Sequence, residues 1–115
     1  MSQSQSSSYT CVMLTSRAEL KEYVKNNKVV IVKFKAEWCG PCKNIEPLTK
    51  QLMEVHNDIK YAIVDVDDGS GIASYLRIRT IPTMVSYLDG DINEFLTSSN
   101  QQDIIDFFNK TSKLV

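Results

Sequence analysis

A single mixed α/β sheet with helices on both faces is the fold class this sequence predicts. Strand-like and helix-like stretches alternate along the chain in the order β-α-β-α-β-α-β-β-α. The first strands are joined by helical crossovers and so should run parallel, whereas the last two flank Asp89-Gly90, a two-residue hairpin signal. The 115 residues allow one domain, and 43% apolar with 23% charged residues is enough to build one core without staples.

The elements follow in order. Residues 1–8 are rich in Ser and Gln and are expected to form a disordered tail, leaving 9–115 as the domain. Tyr9 to Leu14 is a short β-prone run. Ser16-Arg17-Ala18-Glu19 fits a capping box, and behind it Leu20, Tyr23 and Val24 recur at helical spacing until Asn26-Asn27. Lys28 to Lys35 is rich in Val and Ile and reads as a buried strand. A helix is expected from Pro41 to about His56, with Ile45, Leu48, Leu52 and Val55 on one face and a kink at Pro47. Ile59 to Val66 is the next strand, and a loop over Asp67 to Gly71 leads into a short helix, Ile72 to Leu76. Thr83 to Leu88 and Ile92 to Thr97 form the hairpin. Asn100 caps the last helix, which runs to Lys113 with Ile104, Ile105 and Phe108 facing inward.

Several function classes are excluded as expectations. Thirteen Lys+Arg against fourteen Asp+Glu leave no electrostatic footprint for nucleic acid or an anionic membrane. The longest aliphatic run, Val29 to Val32, is far too short to span a bilayer. Met1 to Ser8 lacks the basic and apolar regions of a secretory signal, and three cysteines make no disulfide framework. These features together predict a soluble cytoplasmic chain in a reducing compartment.

The chemistry lies in Trp38-Cys39-Gly40-Pro41-Cys42, where a strand hands over to a helix. Two cysteines three residues apart on a helical turn can close a disulfide with little backbone movement. Cys39 falls at the helix start, where free N–H groups and the helix dipole stabilise a thiolate and lower its pKa. Pro41 suits the first turn because its missing N–H would have been unpaired there. Cys42, one turn inside and expected to be less exposed, is suited to attack a mixed disulfide formed on Cys39. The spacing thus makes Cys39 the nucleophile and Cys42 the resolving thiol.

Ala36-Glu37-Trp38-Cys39-Gly40-Pro41-Cys42-Lys43 is very similar to the active-site segment of thioredoxins, and Ile81-Pro82-Thr83 resembles the second signature of that family. Val64-Asp65-Val66-Asp67-Asp68 and Asp89-Gly90 match in place and order, so the resemblance covers about Tyr9 to Val115. It implies the thioredoxin fold and reduction of protein disulfides by dithiol-disulfide exchange. It also implies a redox-active Cys39–Cys42 disulfide and a cis Pro82 facing the cysteines. The Ile81 backbone would pair with an extended substrate segment as an added strand. Trp38 would cover one side of the dithiol, Asp67 would hold its indole N–H, and Thr80 would line the groove. No metal or organic cofactor is implied. The implied partners are disulfide-containing proteins and, as electron donor, a flavin-dependent thioredoxin reductase; the chain is expected to be a monomer.

Other readings of the same residues have specific weaknesses. As half of a four-ligand zinc site, Cys39 and Cys42 would need two further ligands, and the remaining Cys or His candidates are Cys11 and His56. His56 lies 17 residues beyond Cys39, ~25 Å along a helix, which also argues against a Cys-His dyad. Cys11 reads as a small buried hydrophobe and His56 as a helix C-terminal residue. Lys43, Arg77 and Arg79 form a basic rim or simply a solvated face, and the Asn109-Lys110-Thr111 sequon is discounted because it falls on a helix. A disulfide oxidase or isomerase is disfavoured by Gly40-Pro41 between the cysteines. A thioredoxin-fold binding subunit with incidental redox activity is disfavoured by the intact cysteine pair.

Two positions depart from the family pattern. Lys33 stands where thioredoxins usually carry a buried Asp below the dithiol, and Ile63 stands where bacterial members often place a Lys. A desolvated Lys33 would have a lowered pKa and could take the Cys42 proton; if charged, it would stabilise the Cys42 thiolate. The competing expectation is that Lys33 snorkels its amine to water. Ser98 replaces a groove glycine and is expected to narrow the substrate range.

Overall fold

The structure, a computed structural model, describes residues 8–115; the expected tail over 1–7 lies outside the described residues. Ser8 is described, and its hydroxyl donates to Glu54. Five strands form one sheet: β1 (Thr10–Met13), β2 (Val29–Lys35), β3 (Lys60–Asp65), β4 (Thr83–Leu88) and β5 (Asp91–Thr97), ordered β1-β3-β2-β4-β5. The helices are α1 (Arg17–Asn26), α2 (Gly40–Asn44), α3 (Glu46–Val55), α4 (Ser70–Tyr75) and α5 (Gln101–Ser112).

The first three strands are mutually parallel, but β4 enters antiparallel to β2 and continues antiparallel into β5. The connection over 66–82 holds only the six-residue α4, which rises ~9 Å, and it returns the chain to the sheet at the end where β3 left it. The hairpin turn places Asp89 at φ 52° and Gly90 at φ 89°, the left-handed region that an Asp-Gly pair accommodates. At the start of α4, a Cβ on Gly69 would sit 2.7 Å from Val64 Cγ1, so the helix can approach β3 only with glycine there.

The alternation of β2 divides the core. Val30, Val32 and Phe34 face α1 and α4, packing with Leu20, Val24 and Ile72. Val29 and Ile31 face α3 and α5, packing with Met53, Ile104, Phe107 and Phe108. Helices therefore cover both faces, as the sequence predicts.

The long helix expected from Pro41 divides at Ile45, two residues before Pro47. Pro47 cannot donate to Lys43, but bonds from Ile45 N–H to Pro41 and from Thr49 N–H to Ile45 keep the path nearly continuous. Its buried line runs through Ile45, Thr49 and Met53, with Leu48 and Leu52 half-buried. Val55 is instead 71% exposed, because it follows Met53 by two residues, about 200° around the helix. On α5, Ile104, Phe107 and Phe108 are buried, whereas Ile105 is only half-buried.

Candidate active site

β2 delivers the chain to a bend at Ala36, whose carbonyl accepts the Cys39 N–H at 3.2 Å. Cys39 is the N-cap of α2, with an extended backbone, and Pro41 occupies the first turn. Cys39 and Cys42 form a disulfide, their Cα atoms 5.3 Å apart. The Cys39 Sγ also accepts the Cys42 N–H at 3.2 Å, taking up one of the N–H groups that a helix start leaves unpaired. Exposure does not separate the two residues: Cys39 is 4% and Cys42 3% exposed, so the expected difference is absent. The disulfide ties both sulfurs into one packed cluster with Ala36, flanked by Val66 and Ile81.

Their surroundings do differ. The Cys39 Sγ lies 3.9 Å from the Ile81 carbonyl oxygen, and the Ile81–Pro82 peptide is cis. Trp38 is 68% exposed beside the dithiol, and its indole N–H donates to Asp67 Oδ2 at 3.0 Å. Gly40 and Thr80 are exposed, and the Thr80 carbonyl accepts the Thr83 hydroxyl at 2.6 Å. Ser98 is half-buried; its hydroxyl donates to Asp103 at 2.8 Å and accepts the Asn100 N–H at 3.0 Å, which commits it to the start of α5.

Lys33 is 2% exposed and directly opposite Ile63 in the β2–β3 register. Its amine donates to Thr49 Oγ1 at 3.1 Å, and the Thr49 hydroxyl donates to the Glu46 carbonyl at 3.0 Å. The expectation that Lys33 snorkels to water is therefore wrong. The side chain points to the α3 face, where Thr49, one turn beyond Ile45, supplies an internal acceptor. Burial lowers the Lys33 pKa, and the nearby Glu46 carboxylate partly opposes that shift.

Sequence reasoning missed a cleft of about 280 Å³ beside the resolving cysteine, lined by Lys35, Ala36, Glu37, Cys42, Lys43 and Glu46. The available signal was helical spacing: Glu46 follows Cys42 by four residues and Thr49 by seven, placing all three along one side of α2–α3. Lys35 and Glu37 pair across this mouth at 3.6 Å. Arg77 and Arg79 are exposed, as is Lys43. His56 ends α3, stacks on Phe108 and meets Asn109 at 3.2 Å. Cys11 is a half-buried free thiol on β1; burial raises its pKa and Lys33 partly offsets the rise.

A disulfide that spans one helical turn, with the Cys39 sulfur beside the carbonyl that precedes a cis proline, defines a thiol–disulfide exchange protein. The thioredoxin family model matches residues 11–110. A thioredoxin of Mycoplasmoides gallisepticum is 40% identical over 77 residues, covering 67% of this chain and 77% of the relative. Mitochondrial thioredoxin-3 of Saccharomyces cerevisiae is 34% identical over 87 residues, covering 75% and 68%. The solved Plasmodium falciparum thioredoxin superposes with a TM-score of 0.81 at 33% identity, over 85% of this chain and 96% of that one. The chain belongs to the thioredoxin family. It is accordingly a thiol-disulfide oxidoreductase, a reductase of disulfides by dithiol-disulfide exchange.

Proposed function

We propose that Cys39 is the attacking thiolate and Cys42 the resolving thiol in the reduction of protein disulfides. The observation that carries this reading is the position of the Cys39 Sγ, which takes the Cys42 N–H and lies 3.9 Å from the Ile81 carbonyl. In the reduced protein the Cys39 thiolate attacks one sulfur of the substrate disulfide. That bond breaks, the first substrate thiolate leaves, and a mixed disulfide remains on Cys39. Cys42 then loses its proton and attacks the Cys39 Sγ, expelling the second substrate thiolate and closing Cys39–Cys42. Two electrons have passed to the substrate.

Gly40 and Pro41 keep the turn between the sulfurs tight. Trp38, anchored by Asp67, covers one flank. Thr80, Ile81, Pro82 and Ser98 line the groove, with the Ile81 backbone pairing an extended substrate segment. Lys33 supports the Cys42 thiolate from the sheet beneath. Electrons return from a flavin-dependent thioredoxin reductase to a monomeric domain spanning 9–115. A cytoplasmic location suits a chain with a free, half-buried Cys11, and no helix among the described residues is long and apolar enough to cross a membrane.

Insulin reduction, driven by NADPH and a thioredoxin reductase, tests the assignment. Cys39→Ser should abolish turnover, and Cys42→Ser should accumulate a substrate adduct on non-reducing gels. Turnover comparable to the parent in Cys39→Ser would refute it.

A further inference from the structure

The proton that Cys42 loses during resolution needs an acceptor, and the buried Lys33 is poorly arranged to be it. The Lys33 amine is directed to Thr49 Oγ1 at 3.1 Å. The groups around Cys42 on its open side are those of the 280 Å³ cleft: Lys35 from β2, Glu37 from the bend after it, Lys43 from α2 and Glu46 from α3. Two of these four are carboxylates. Glu37 is paired with Lys35 at 3.6 Å, and its side chain is 82% exposed. Glu46 is half-buried, lies on the same side of the near-continuous α2–α3 helix as Cys42, and opens into the same cleft. A space of this size holds several waters between polar walls.

We propose that the Glu46 carboxylate accepts the Cys42 proton, directly or through a cleft water, as the mixed disulfide resolves. This rests on the assignment of Cys42 as the resolving thiol. The Cys42 S–H bond breaks, its electron pair attacks the Cys39 Sγ, and the Cys39–substrate S–S bond breaks with its pair on the substrate sulfur. The proton moves to Glu46 and then, through the cleft, to the departing thiolate or to water, which leaves the carboxylate as it began. Lys33 and Glu46 play separate parts in this step. The lysine amine is held on Thr49, and the carboxylate removes the proton from the side of the cleft.

Reduced protein carrying Cys11→Ala, mixed with dithiobis-nitrobenzoate, releases one coloured thiol when Cys39 attacks and a second when Cys42 resolves. Stopped-flow absorbance separates the two phases. Glu46→Gln should slow the second phase by about 10²-fold near neutral pH, the lower end of a general base contribution, and leave the first within about twofold. In Glu46→Gln the second-phase rate should rise in proportion to hydroxide, whereas the parent should be much less dependent on pH. Glu46→Asp should recover most of the rate, and Glu37→Gln should track the parent, which a merely structural disturbance of α3 would not produce. Superimposable second-phase pH profiles in the parent and Glu46→Gln overturn the proposal, as does an equal loss in Glu37→Gln. If Glu46→Gln melts out, Glu46→Asp and Glu46→Ala carry the same comparison. A second phase that persists in Cys42→Ser would instead refute the assignment of the resolving thiol.

Discussion

Lys33 is an amine 2% exposed in the central strand, with the Thr49 hydroxyl as its hydrogen-bond partner. Desolvation holds its folded pKa below the ordinary lysine value. Between that lowered value and about 10.4 the unfolded chain binds more protons than the folded one, so stability must rise with pH through that window. Below it, the charged amine penalises the fold in full. Lys33→Met keeps the length and removes the charge, and should raise the melting temperature near neutral pH. The gain should shrink as the pH approaches 10.4, and thermal melts across pH would read it. A gain that stays constant across pH would remove the desolvation argument. The same substitution should slow resolution several-fold and move its pH profile to higher pH, because a charge that favours the Cys42 thiolate is lost along with the lysine's own titration. Lys33 was legible as a departure from the sequence alone. Its partner was not, because Thr49 follows it by 16 residues and meets it only once α3 lies on the sheet.

At the scale of elements, local signals were reliable wherever the physics is local. Ser16 caps α1 by accepting the Glu19 N–H at 3.2 Å, and Glu19 returns to the Ser16 N–H at 3.1 Å, the reciprocal pair that the four-residue motif announces. Ser16→Ala should cost about 1 kcal/mol, read as a lower urea midpoint at unchanged m-value. Backbone donors from Thr15 and Ser16 also hold the Glu19 carboxyl below its usual range. The stability it supplies is present above the free carboxyl pKa and lost as pH falls through the lowered folded value. The break at Ile45 shows where local reading ended. A proline marks a kink, but which face of the following turns is buried depends on what the helix meets. Thr49 and Met53 took the inward line that a hydrophobicity pattern would have shared with Val55.

In the molecule as a whole, the sheet separates two apolar clusters, and the α3–α5 side is joined by aromatic rings. Phe108 is fully buried, 6.0 Å from the Tyr61 ring, 6.4 Å from Phe107 and 6.3 Å from His56 at the end of α3. It thus fastens α5 to both the sheet and the helix that carries Glu46. Phe108→Ala should destabilise the fold by roughly 3–5 kcal/mol, measured by denaturant titration, since the cavity cannot close between a sheet and two helices. A loss under about 1 kcal/mol would mean that this face repacks freely.

The sequence by itself determined the element types, the hairpin and both helix caps, because turn chemistry, capping and periodicity act within a few residues. The cysteine spacing and the proline signature also located the dithiol and the segment that meets it. Tertiary structure alone decided the rest. The direction of β4 depended on how the 66–82 connection packs on the sheet. The equal burial of Cys39 and Cys42, and the Lys33–Thr49 bond, required packed surfaces from segments distant in the chain. The carboxylate-lined cleft beside Cys42 exists only because β2, the bend after it and α2–α3 converge there, and a void between elements has no sequence of its own.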